Sequence, residues 1–240
     1  YDRSQTITDH YSALCDVRII WGGDKSIENI RQSTISPNAV DLCFYDRYSL
    51  AIFNSDAILD LKNNELKNLV KNFFNDTYYI EQNACSSPHL ILWKGKENEK
   101  AKKIFWQNLN IFLDKNYNIE MSQVLEKYNL LLSSLIETKN ISKIESENNK
   151  NYIVTLKNLD KNTHKLRGKS GLFFQYNIKN LNELKKIINK KYQTITYFGF
   201  ERDYLRNFVM SNKVNGIDRI VPVGQALSMD LIWDGNHLIN

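Results

Sequence analysis

Cysteine is scarce. The 240 residues hold three thiols, Cys15, Cys43 and Cys85, at spacings that form neither a CxxC pair nor a repeating framework. A disulfide scaffold and a structural zinc site are therefore excluded, and a reducing, cytoplasmic setting is the expectation. Histidine is nearly as rare, with only His10, His89, His164 and His237. None falls in a Cys–His protease signature, and HExxH, P-loop, GxSxG and EF-hand patterns are all absent. No metal is expected. No apolar run approaches the roughly 20 residues of a membrane span, and no charged-then-apolar leader opens the chain. The net charge of +5 comes from lysines scattered among asparagines and glutamates. Without a dense arginine block interleaved with aromatics, no nucleic-acid partner is expected.

What is present is ordinary globular material: 42% apolar residues, enough for one large domain or two modest ones. The chain starts at Tyr1 in a stretch that does not read as an independent beginning, so a fragment of a longer protein is expected. The most informative stretch is Ile80-Glu81-Gln82-Asn83-Ala84-Cys85-Ser86-Ser87-Pro88-His89-Leu90-Ile91-Leu92-Trp93. Upstream, Leu66, Leu69, Val70 and Phe73 recur at helical spacing. Downstream, the apolar run 90–93, closed by Lys94-Gly95, reads as a buried strand. Cys85 thus lies in a helix-to-strand loop, where a side chain is held rigidly and still meets a ligand.

Along the chain, 16–21 reads as a strand, Gly22-Gly23 as a turn and the following residues as a short helix capped by Asp24 or Ser26. The glycines admit close approach of a ligand and the helix N-terminus suits a phosphate, although a plain tight turn has the same sequence. Strands are expected at 40–44 and 50–53, with Arg47 as a surface or phosphate-contacting charge. Two amphipathic helices follow. Ala101, Ile104, Phe105, Leu109 and Phe112 mark the core stripe of the first; Met121, Val124, Leu125, Tyr128, Leu132 and Leu135 mark that of the second. The polar stretch 137–151 reads as a surface loop or mobile excursion. Strands at 152–156, 171–178 and 193–198 alternate with helices through Leu181–Ile188 and Tyr204–Val209, and 216–227 ends in a strand and a glycine turn. This order gives an α/β fold with a mostly parallel sheet covered by helices on both faces.

A cysteine is useful when its thiolate attacks a carbonyl or thioester and then leaves again. Cys85 has the hydroxyls of Ser86 and Ser87 and the imidazole of His89 nearby in sequence, and loop N–H groups suit an oxyanion. The same positions also fit a buried inert thiol and a hydrogen-bonded structural histidine. With no partner histidine for a protease, thiol-based acyl chemistry coupled to a bound nucleotide is the coherent reading.

Four segments, with a fifth behind them, carry a resemblance. They are 17–24 (VRIIWGGD), 46–49 (DRYS), 82–88 (QNACSSP) and 219–227 (RIVPVGQAL), followed by Trp233-Asp234-Gly235. In this order, over nearly the whole chain, they resemble the acyl-CoA reductases of the bacterial luminescence fatty-acid reductase type (LuxC-like), a divergent branch of the aldehyde dehydrogenase superfamily. The resemblance implies that Cys85 is the nucleophile and that Gly22 and Gly23 form the turn near the cofactor. It implies an aldehyde dehydrogenase-like catalytic domain over 38–240, preceded over 1–37 by the tail end of a Rossmann-type domain. Most of that domain, with the asparagine that helps bind the oxyanion, would lie upstream. Where aldehyde-oxidising relatives keep Glu-Leu-Gly-Gly, the nearest segment here is Asp41-Leu42-Cys43-Phe44, which fits an enzyme that avoids deacylation by water.

The reaction so implied is covalent. The Cys85 thiolate takes the acyl group from a long-chain thioester, CoA leaves, and hydride from NADPH yields a hemithioacetal that collapses to fatty aldehyde. The implied partners are long-chain acyl-CoA or an acylated protein of the acyl-protein synthetase type, with homo-oligomerisation at full length. A different acylating aldehyde dehydrogenase relative, and a non-catalytic domain of the same fold serving as an assembly surface, are the competing readings.

Overall fold

The computed structural model describes residues 4–238, which fall into two compact units: residues up to Arg47 together with those from Asp230 on, and Tyr48–Met229.

The smaller unit begins with α1 (Gln5–Leu14), β1 (Val17–Trp21), α2 (Asp24–Arg31) and β2 (Val40–Phe44). β1 and β2 pair in parallel, with Arg18 opposite Asp41. The Arg18 guanidinium meets both Asp41 oxygens, at 2.7 and 2.9 Å, and also donates to the Ser12 hydroxyl and to the carbonyls of Ile30 and Ser33. One fork-shaped cation thus fastens both helices to the strand pair. Asp41, the residue nearest the missing Glu-Leu-Gly-Gly segment, is consumed in this ion pair, and Arg18 holds its carboxyl below the usual range. Gly23, not Asp24 or Ser26, stands at the N-cap of α2 and supplies no side-chain cap. Arg47 lies outside any strand and is not a surface charge: its side chain is 11% exposed and its Nη1 is 2.9 Å from Asp234.

The larger unit carries the sheet. Its elements are β3 (Tyr48–Asn54), α3 (Ser55–Leu59), α4 (Asn63–Thr77), β4 (Pro88–Lys94), α5 (Asn98–Asn116), α6 (Met121–Glu137), β5 (Ile141–Asn148), β6 (Asn151–Leu156), β7 (Leu172–Asn177), β8 (Tyr192–Phe198), α7 (Arg202–Ser211) and β9 (Arg219–Pro222). The strand order is β5-β6-β7-β4-β3-β8-β9. Every neighbouring pair is parallel except β5 with β6. Strands buried on both faces carry unbroken apolar runs, and alternate residues sort to opposite sides. In β3, Leu50 and Ile52 enter one core with Leu184, Leu205 and Val209, whereas Ala51 and Phe53 enter the other with the α4 and α5 residues. That second core is aromatic. Phe53 and Phe73 each pack edge-on against Phe105, at centroid distances of 5.0 and 5.2 Å, and the indole N–H groups of Trp93 and Trp106 both donate to Gln175 Oε1. Each such ring contributes roughly 1.5–3 kcal/mol through burial.

In the larger unit three further expectations fail for physical reasons. The polar stretch after Glu137 is not a loop, because β5 runs antiparallel to β6 as an edge strand over Ile141–Asn148. Its ladder bonds come from backbone, so no apolar alternation is needed, and its exposed Lys143 and Glu145 suit a free edge. The segment through Leu181–Lys186 is a 3-10 helix rather than an α-helix, although Asn180 does cap it by accepting from the Asn182 N–H. The apolar stripe of α6 faces outward, with Met121 72% exposed and Leu125, Tyr128, Leu132 and Leu135 also exposed. The buried side is Lys127, Leu131 and Ser134, rotated by one residue. Lys127 sits there because its ammonium donates to the carbonyls of Asn149 and Ser170. Burial pulls its pKa down to about 7.

Candidate active site

Helix α4 delivers the chain to Cys85 through a strained connection. After a 3-10 turn at Tyr78–Ile80, Glu81 and Gln82 both adopt left-handed backbone, with φ of 56° and 57°. For residues with a Cβ each costs roughly 1–2 kcal/mol, so something must hold them. Gln82 does: its buried amide donates to the carbonyls of Pro88 and Leu172, and its Oε1 accepts from Gly171 N–H at 2.9 Å. Its own N–H reaches the Thr77 carbonyl at 2.8 Å. The Glu81 carboxylate accepts from the Tyr117 hydroxyl at 2.6 Å, and burial, with Glu81 as a secondary cause, raises the tyrosine pKa. Strain held in place by surrounding bonds three residues before a cysteine is the pattern of a functional loop.

Cys85 itself is half-buried and not in a disulfide. Its carbonyl accepts from the Ser49 hydroxyl at 2.6 Å, and Ser49 Oγ accepts in turn from Thr194 N–H at 3.1 Å, so the Cys85 backbone is tied to β3 and β8. Ser87 N–H closes a turn to Ala84, and the Ser87 hydroxyl donates to the Asp76 carbonyl at 2.7 Å. Ser86 Oγ is buried without a hydrogen-bond partner. Unpaired buried hydroxyls are uncommon in settled cores.

His89 is buried. Its ring stacks on Tyr48 at 5.3 Å, and its Nδ1 lies 3.0 Å from the Gly168 carbonyl oxygen and 3.3 Å from the Gly168 amide nitrogen. Burial, aided by Arg167, pushes its pKa down to about 3, so it stays neutral. The reading of His89 as a buried, hydrogen-bonded structural histidine fits this geometry.

Asp76, Gln82 and Ser49 escaped the sequence reading. Asp76 had a visible signal, an acid at i+7 on the stripe that starts at Leu69 and Phe73. Its buried carboxylate accepts from Gly224 N–H at 2.6 Å and Ala226 N–H at 2.9 Å, and burial raises its pKa to about 6. Both oxygens are engaged, so it is a holding group rather than a base. Gln82 and Ser49 lie in segments that carry the resemblance, but their holding roles left no local signal, because their partners are backbone atoms.

In the smaller unit, Gly22 and Gly23 precede α2 with negative φ; a Cβ on Gly22 would first meet Ser26 at 3.5 Å, and one on Gly23 would meet nothing within 4 Å. The chain's own packing does not require either glycine. The clear space and the uncapped N-terminus of α2 suit backbone approach by a phosphate, as in a nicotinamide dinucleotide. Among the described residues no cluster of three or more His, Cys, Asp or Glu is arranged to hold a metal ion, and no helix is long and apolar enough to cross a membrane.

The family model for acyl-CoA reductase (LuxC) matches residues 1–239. The chain belongs to the acyl-CoA reductase (LuxC) family. No curated protein matches it. Solved structures similar to it are aldehyde dehydrogenases. Aldehyde dehydrogenase 21 from Physcomitrella patens, in complex with the product succinate, aligns with a TM-score of 0.65 at 9% identity over 96% of this chain and 49% of its own. The methylmalonate-semialdehyde dehydrogenase DddC from Oceanimonas doudoroffii gives 0.62 at 11% over 97% and 50%. A putative methylmalonate-semialdehyde dehydrogenase from Sinorhizobium meliloti, complexed with NAD, gives 0.59 at 11% over 92% and 48%. The LuxC-family chain thus has the aldehyde dehydrogenase fold and spans about half the length of these structures.

Proposed function

We propose that this chain is the catalytic part of an NADPH-dependent reductase that converts a long-chain fatty acyl thioester to the fatty aldehyde through Cys85. The observation that carries the reading is the Cys85 loop. It presents a half-buried thiol between α4 and β4 on a backbone fixed by Ser49 and Gln82, in a chain of the LuxC family. The Cys85 thiolate attacks the thioester carbonyl carbon, a new S–acyl bond forms, and the CoA thiolate leaves. A reduced nicotinamide, when bound, supplies the hydride that brings the acyl group to the aldehyde level. Breaking the C–S bond then returns Cys85 as thiolate. Gly22 and Gly23, with the N-terminus of α2, are the residues that would hold a cofactor phosphate.

The same proposal extends to the donor, long-chain acyl-CoA or an acylated partner protein, and to assembly as a homo-oligomer at full length. A cytoplasmic setting is supported by three cysteines of which none is in a disulfide. Incubation with a long-chain acyl-CoA followed by intact-protein mass spectrometry tests the central step. An acyl increment in the wild type, absent from Cys85→Ala, is expected; no increment in this chain or in a full-length version would sink the reductase reading in favour of a non-catalytic domain. Single-turnover reduction with NADPH against NADH then tests the cofactor.

A further inference from the structure

We propose that Asp76 is a positioning residue that locks the turn after β9 to the cysteine loop, so that the reactivity of Cys85 depends on both oxygens of the Asp76 carboxylate being free to accept. One residue makes both ties. Its main-chain carbonyl takes the Ser87 hydroxyl at 2.7 Å, two residues after Cys85, while its carboxylate takes the amides of Gly224 and Ala226 at 2.6 and 2.9 Å. The turn is shaped for this contact. Gly224 has φ of +99°, and a Cβ there would come within 2.8 Å of Asn72, one helical turn before Asp76 on α4. The left-handed turn brings the Gly224 and Ala226 N–H groups onto one carboxylate, while the Gln225 N–H between them closes back on the Pro222 carbonyl. From the other side, Arg219 on β9 donates to the carbonyls of Gln225, Ala226 and Ser228, so the turn is gripped by a cation at its carbonyls and an anion at its amides. This accounts for the 219–227 segment, which carried part of the family resemblance and which the acyl chemistry alone leaves without a role.

The groups acting on the Asp76 carboxyl are Arg219 and the two turn amides, all opposing the larger effect of burial. His89, in the strand that follows Ser87, is neutral throughout the range of interest. Burial raises the Asp76 pKa to about 6, and protonation turns one carboxylate oxygen into a hydroxyl, which gives up one of the two amide contacts.

The kinetic consequence for acyl transfer rests on the reading of Cys85 as nucleophile, but the positional coupling does not, and the experiment separates them. Alkylation of Cys85 by iodoacetamide is followed site by site from pH 5 to 8 by peptide mass spectrometry in wild type, Asp76→Asn and Ser87→Ala. The wild-type profile is expected to show, beside the thiol's own titration, a second inflection near pH 6 of at least threefold. Asp76→Asn removes it, because nothing titrates there. Ser87→Ala also removes it, because Asp76 still titrates but is no longer tied to the cysteine loop. If Asp76→Asn fails to fold, wild type and Ser87→Ala decide. A wild type without the inflection, or either variant retaining it, overturns the proposal. In parallel, acylation by long-chain acyl-CoA is expected to slow at least tenfold in Asp76→Asn. A wild type that shows the alkylation inflection but never takes an acyl group leaves the positioning role standing and removes the acyl-transfer reading.

Discussion

The Ser49 hydroxyl donates to the carbonyl of Cys85 at 2.6 Å while its oxygen accepts the Thr194 N–H at 3.1 Å, so a single buried serine joins the candidate nucleophile to two strands of the sheet. Ser49→Ala leaves a buried carbonyl and a buried amide without their side-chain partner, a loss of about 2 kcal/mol. Urea unfolding should show that loss with an unchanged slope, and Cys85 alkylation should change in rate. A variant as stable as wild type, with the same alkylation rate, would show that the link is incidental.

Gln82 secures the two left-handed residues that lead into the loop. Gln82→Leu keeps the bulk but deletes three hydrogen bonds and exposes the strain they hold, for an expected loss of about 3 kcal/mol. Hydrogen exchange should report the opening locally, at the amides of Asn83 and Gly171, before global unfolding.

His89 makes stability depend on pH with a definite sign. Its pKa falls from the ordinary 6.5 to about 3 in the folded state, so the unfolded chain binds the proton more readily. Its contribution is complete above about pH 6.5 and is lost as pH falls toward 3, with about 2 kcal/mol gone at pH 5. His89→Asn keeps a polar side chain, able to donate or accept, near Gly168 without a titrating ring. Its stability curve between pH 5 and 7 should be flatter by that amount; an unchanged curve would place the acid sensitivity elsewhere.

On α6, Leu125→Ser and Tyr128→Ser should each change unfolding free energy by no more than about 0.5 kcal/mol, as for other exposed positions. Leu131→Ala, on the buried side of the same helix, should lose about 2–4 kcal/mol. Thermal and urea unfolding of the three variants distinguish the observed rotation of the helix from one that turns the larger apolar stripe inward.

The α/β alternation, the doubly buried strands β3 and β4, and the placement of Cys85 between α4 and β4 were legible in the sequence because each follows from local periodicity: apolar runs of strand length, helical stripes and a polar break. The family relationship was legible too, carried by short segments in a fixed order. What the tertiary structure alone decided concerns partners far apart along the chain. The charged stretch at 141–148 became a strand because β6 offered it a backbone edge, and α6 turned its smaller apolar side inward because Lys127 found two carbonyls to hold. His89 turned out to be neutral because the sheet closes over it, and Asp76, an acid on an apolar stripe, found its reason 148 residues away in the Gly224 turn. Periodicity records which residues prefer burial; which buried polar atoms satisfy one another is settled only when the chain is folded, because those bonds join backbone groups that carry no residue-specific signal.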